Sequence, residues 1–125
     1  MSAVRKRSLK LKRAYEVSEP EDGYRILVDR LWPRGVAKNA ARIDLWLKEV
    51  APSTALRKRF RHDPSEWTEF RDRYFEELDE TPEAVATLRE RLRGGPVTLV
   101  YAAKNREYNN AVALAEYLSS RGRRV

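Results

Sequence analysis

At 125 residues, with 42% hydrophobic and 36% charged side chains, the chain has the size and apolar content of one folded domain, and general disorder is excluded. It contains no cysteine and a single histidine, His62, so disulfides, thiolate metal centres and cysteine nucleophiles are ruled out, and a transition metal would lack its usual set of imidazoles. The formal charge of +7 sits mainly in the two ends: setting aside nine terminal lysines and arginines leaves 17 basic against 19 acidic residues.

Leu9 and Leu11 alternate with Lys10 and Lys12 before Ala14 and Tyr15, a period of two that predicts a half-buried strand with a basic edge. Glu19-Pro-Glu-Asp-Gly23 has the composition of a turn, with Gly23 suited to a positive φ. In residues 24–29 the run Ile26-Leu27-Val28 does not alternate, which marks a central strand covered on both faces. Pro33 and Gly35 end that strand in a shaped loop over residues 30–36.

Ile43, Trp46, Leu47 and Val50 fall at helical spacing and predict a helix stopped by Pro52. Ser53 is placed to cap a short successor reaching about Phe60, around which the basic cluster 57–61 reads as a solvated face. Asp63-Pro64 then opens a helix whose apolar face is Trp67, Phe70, Tyr74 and Leu78. Thr81-Pro82 repeats the cap-then-proline arrangement ahead of the stripe Val85, Leu88 and Leu92, and Gly94-Gly95 ends that helix. Val97 to Tyr101 is a second unalternating run, and the long helical crossover before it predicts a parallel partner for the central strand. Asn105 is predicted to cap the last helix, with Ala111, Leu114, Ala115 and Leu118 facing inward. The architecture expected is α/β: a single compact domain over residues 1–125, with a small mostly parallel sheet flanked by helices and basic ends near 1–7 and 120–125.

These residues carry a resemblance. Gly23-Tyr-Arg-Ile-Leu-Val-Asp-Arg-Leu-Trp-Pro-Arg-Gly35 is similar to the hallmark segment of the YeaO-like family, domain of unknown function 488. Three further stretches fall in the family's order: Asp44-Leu-Trp-Leu-Lys-Glu-Val-Ala-Pro-Ser53, His62-Asp-Pro64 with Trp67, and Val97-Thr-Leu-Val-Tyr-Ala-Ala-Lys104. The resemblance spans about Leu9 to Leu118 and implies a fold and recurring positions without supplying a reaction. It also exposes a departure. After Lys104 the family usually reads Asp, two variable residues, His and Asn, whereas this chain has Asn105, Arg106, Glu107, Tyr108 and Asn109. Binding survives that change more readily than acid–base chemistry does, because Asn105 still caps and Tyr108 still donates a hydrogen bond.

In open parallel sheets ligands sit beyond the carboxyl ends of the strands. The central strand ends at Asp29 and feeds Arg30, Trp32 and Arg34 into its loop. The later strand leads through Lys104 to Asn105, Tyr108 and Asn109. These eight residues form the candidate ligand-binding set, suited to an anionic small molecule, a phosphate or a carboxylate. Asp29 has four readings: an orienting group for an arginine, a base if the ligand is turned over, a holder of magnesium, or one half of an architectural ion pair with Arg30. Trp32 reads as a wall of the pocket or as a plug over the core. His62, alone beside Asp63, reads as a local capping or surface group rather than a general base. No cofactor and no catalytic residue is assigned, since Walker, dinucleotide-binding and serine-elbow motifs are all missing.

Two alternatives come from other classes. The basic ends suit a nucleic-acid-associated accessory protein, with weak and salt-dependent binding. A structural partner protein is the third reading, and it predicts an exposed apolar patch. No apolar run reaches the roughly 20 residues that span a bilayer, and no secretory signal pattern follows the basic start, so a cytoplasmic location is expected.

Overall fold

The computed structural model describes residues 9–60 and 63–120. Strand β1 (Leu9–Arg13) leads through a 3-10 turn (Pro20–Asp22) into β2 (Tyr24–Leu27), followed by the single-turn helix α1 (Lys38–Ala41) and the two-residue strand β3 (Leu45–Trp46). A second 3-10 turn (Lys48–Val50) precedes α2 (Thr54–Arg59), and a third (Pro64–Glu66) opens α3 (Trp67–Asp79). Helix α4 (Pro82–Gly94), strand β4 (Val97–Tyr101) and helix α5 (Asn110–Ser120) complete the chain.

The four strands are all parallel, in the order β1-β4-β2-β3. Both unalternating runs therefore lie inside the sheet, side by side, with Ile26 opposite Leu99. Pleating sends alternate residues to opposite faces. Ile26, Val28, Val97, Leu99 and Tyr101 point into the main core with Leu56, Phe70, Tyr74, Leu78, Leu88 and Leu114 of the helices. Leu27 and Val100 point the other way, into a small cluster with Ala14 that is covered by Trp32, Val36, Ile43 and Trp46. Two tryptophans and a loop thus cover the second face where a helix layer is usual.

That second face changes character toward the start of the strands. Lys10, Thr98 and Arg25 form one row across β1, β4 and β2, and the fully buried Asp22 closes over it. Lys10, Lys12 and Arg25 reach its carboxylate at 3.0, 3.1 and 2.6 Å. The Thr98 hydroxyl donates to the Asp22 carbonyl at 2.8 Å. Burial by itself would push the Asp22 pKa up, but the bonds from Lys10, the Glu19 amide, Lys12 and Arg25 outweigh it and hold the group well below the usual carboxylate range.

Three local expectations need correction. Residues 43–50 form β3 and a 3-10 turn instead of a helix. Their apolar spacing arises because Ile43 and Trp46 cover the second face while Leu47 and Val50 enter the main core; a strand of two residues is too short to show alternation. Asn109, rather than Asn105, caps α5, its side-chain oxygen accepting from the Val112 amide at 2.9 Å. Asn105 instead caps the preceding turn, accepting from the Glu107 and Tyr108 amides at 2.8 and 2.9 Å. Thr81 makes no side-chain cap for α4, since its hydroxyl donates back to the Leu78 carbonyl. The caps at Ser53 and Asp63 form as expected.

Candidate functional site

The parallel pairing of β2 with β4 brings Asp29 and the chain after Tyr101 to one rim. Asp29 is the centre of that rim. Its two carboxylate oxygens accept from the Ala102 amide at 2.9 Å and from the Asn110 side chain at 3.0 Å. Its carbonyl accepts from the Trp46 indole at 2.8 Å, and Asn110 also donates to the Val28 carbonyl at 3.1 Å. One carboxylate thereby ties the ends of two central strands to the first residue of α5.

Burial pushes the Asp29 pKa up; the hydrogen bonds from Asn110 and Ala102 and the charge of Arg57 oppose that shift without cancelling it. Arg30 does not pair with Asp29. Its guanidinium turns to the Ala51 and Pro52 carbonyls at 3.1 and 3.3 Å, where it fixes the segment leading into α2. The ion-pair reading is therefore replaced by two separate anchors. On the β1 side Arg13 does similar work, donating to the Ala102 and Ala103 carbonyls and lying 4.9 Å from the Tyr15 ring centre.

The remaining predicted residues divide into three groups. Arg34 and Lys104 are exposed, the former held near β1 by a bond from the Tyr15 hydroxyl to its carbonyl at 3.0 Å. Asn105 and Asn109 serve as caps, and Asn109 is buried. Trp32 meets Trp46 edge-on at 5.5 Å and donates its indole hydrogen to the Val36 carbonyl, so it acts as the plug over the second face. Tyr108 lies edge-on to Trp67 at 5.3 Å, in an aromatic group with Phe60 and Phe70. His62 and the basic ends, residues 1–8 and 121–125, lie outside the described residues.

The bonds limit what this rim can do. The Ala102 amide, the Glu107 and Tyr108 amides of the turn before α5, and the Val112 amide in its first turn, which a bound anion would otherwise use, are taken by Asp29, Asn105 and Asn109. The cations are differently placed. Among the described residues, none of Arg13, Arg30, Arg34, Arg57 and Lys104 forms an ion pair with a carboxylate. No group of three or more carboxylates and imidazoles that could hold a metal occurs among the described residues. No helix of the described residues is long and apolar enough to cross a membrane.

Four residues that organise the two ends of the sheet escaped the sequence reading: Ala102, Asn110, Arg25 and Asp22. The Ala102 contact is a backbone amide, which residue identity does not reveal. Asn110 follows Asn109 directly, and only the helix start separates their roles. Arg25 and Asp22 carried a usable signal, since a charged residue inside an unalternating apolar strand needs a buried counter-charge.

Fold and rim together define a parallel α/β domain whose strand ends are locked by one partly buried carboxylate. The chain belongs to the DUF488-N3i family, described as the inactive DUF488-N3 subclade, whose model matches residues 8–124. It is 43% identical over 113 residues to the uncharacterised protein YeaO of Escherichia coli K12, covering 90% of this chain and 98% of that one. The uncharacterised protein Rv3073c of Mycobacterium tuberculosis H37Rv is 41% identical over 118 residues, covering 94% of this chain and 99% of its own length. No solved structure matches the chain.

Proposed function

We propose that this protein is a binding domain without turnover, holding an anionic small molecule, a phosphate or a carboxylate, on the rim around Asp29. The observation that carries the reading is a pair of exposed cations there: Arg34 and Lys104 form no ion pair with a described carboxylate, while the one carboxylate at the centre is committed to Ala102 and Asn110 and feels the charge of Arg57. Exposed cations without local counter-charge attract oxyanions, and arginine adds a planar, two-pronged donor.

The lack of turnover is supported by two features. The family whose model matches is described as an inactive subclade. In addition, Asn105 and Tyr108 stand where the YeaO-like pattern usually has Asp and His; Asn105 is spent on capping and Tyr108 packs against Trp67. Neither side chain is the carboxylate or imidazole that the pattern offers for proton transfer at those positions.

The test is a thermal-shift screen of the full chain against nucleotides, sugar phosphates and small carboxylates. A ligand present at a hundred times its Kd should stabilise the fold by about 2.7 kcal/mol. The reading predicts hits that Arg34→Ala and Lys104→Ala weaken. An empty screen, or hits indifferent to both substitutions, contradicts it.

A further inference from the structure

At the opposite end of the strands an open cleft of about 640 Å³ lies between the turn before β2 and the α1–β3 connection. Its volume is in the range of small-molecule sites. The floor is the charged part of the second sheet face, where Arg25 is buried and spent on Asp22 and on the Ala41 carbonyl, which it holds at 3.2 and 3.0 Å. The wall carries Lys38 and Arg42, both exposed and neither in an ion pair with a described carboxylate. The two carboxylates of the lining are already engaged: Glu19 accepts from Lys12 at 3.3 Å, and Asp44 accepts from the Arg25 amide at 2.9 Å.

Arg42 is also the one described residue other than glycine with a positive φ, at 52° with ψ 44°. A left-handed turn that closes a helix is ordinarily given to glycine or asparagine. The turn itself is fixed from below, since Arg25 grips the Ala41 carbonyl and the Asp44 amide donates back to the Arg25 carbonyl at 2.9 Å. Glycine would meet every backbone demand at position 42. An arginine there is disfavoured by conformation, and its guanidinium makes no hydrogen bond or ion pair among the described residues, which leaves it available to the cleft.

We infer that this cleft is a second ligand site, distinct from the Asp29 rim, which takes a small organic oxyanion, a phosphate ester or a carboxylate, through Arg42 and Lys38. Apolar contact for the rest of the ligand comes from Pro20 and Ile43 in the lining. The inference does not rest on the reading of the Asp29 rim.

Amide chemical-shift mapping of the full chain tests it, with inorganic phosphate and succinate added separately at low salt to distinguish the two oxyanions. The expected result is a saturable shift of amides in residues 38–44 and 19–25 with at least one probe. Arg42→Gly should melt at or above the wild-type temperature, because it relieves the left-handed turn, yet bind that probe about tenfold or more weakly. Lys38→Ala, an exposed change, should weaken binding in the same direction, while Arg34→Ala and Lys104→Ala leave these shifts unaltered. The inference is overturned if neither probe moves these amides, if Arg42→Gly binds like wild type, or if the shifts are confined to residues 102–110.

Discussion

The carboxylate of Asp29 accepts the amide hydrogen of Ala102 at 2.9 Å, so the chain leaving β2 is bonded directly to the chain leaving β4. Seventy-three residues separate the two groups, and the bond exists only because those strands are parallel neighbours. Removing the carboxylate would leave the Ala102 amide and one hydrogen of Asn110 without their acceptor. Asp29→Ala is therefore expected to destabilise the fold by about 2–3 kcal/mol, read from urea unfolding. A cost within error of zero would show that the rim is not locked in this way.

Asp29 also predicts a pH dependence of unusual sign. Because burial raises its folded pKa above the ordinary carboxylate value, the folded state holds the proton more tightly than the unfolded chain does. Its contribution to stability is complete below the unfolded value of about 4 and declines as pH rises through the folded value. The stability difference between wild type and Asp29→Asn, followed by urea unfolding from about pH 3.5 to pH 7, should accordingly shrink as pH increases. A difference that grows with pH would assign the group a depressed pKa.

Asp22 predicts the opposite behaviour. Its folded pKa is held low by Lys10, the Glu19 amide, Lys12 and Arg25 against the effect of burial. The stability it contributes is present above the unfolded value near 4 and lost as pH falls toward the folded value. Neutralising it leaves the buried Arg25 without its counter-charge, so Asp22→Asn should cost about 3–5 kcal/mol at neutral pH. Its unfolding midpoint should also respond less to acid than that of wild type.

Gly23 is a steric requirement of the same region. It holds φ at +67°, and a Cβ built there would lie 2.3 Å from the Pro96 carbonyl oxygen, where the chain enters β4. That oxygen accepts the Tyr24 amide at 2.9 Å, so it cannot withdraw without breaking the start of the β2–β4 ladder. Gly23→Ala is expected to cost at least about 2 kcal/mol, whereas Gly35→Ala, with open space around it, should cost less. Equal melting temperatures for the two variants would refute the close approach.

Much of this was readable from the chain itself, for physical reasons. Ile26-Leu27-Val28 and Val97 to Tyr101 lack alternation because both faces of β2 and β4 are covered, and that pattern, with the long helical crossover between the runs, predicts a parallel partner. Trp67, Phe70, Tyr74 and Leu78 keep helical spacing because α3 presents one face to the core. Ile43, Trp46, Leu47 and Val50 show the same spacing for a different reason, as an edge strand and a tight turn divide them between two clusters. The partners of Asp29 were hidden because a backbone amide has no sequence signature. Arg30 could not be separated from Asp29 until the Ala51 and Pro52 carbonyls came into view.

The most direct measurement on the central claim is a crystal structure of the full chain grown or soaked in phosphate. The account predicts an ordered anion contacting at least two of Arg34, Arg57 and Lys104, with Asp29 still bonded to Ala102 and Asn110. A rim that stays free of anion at saturating phosphate, or one where the anion displaces Asp29 from Ala102, would contradict it.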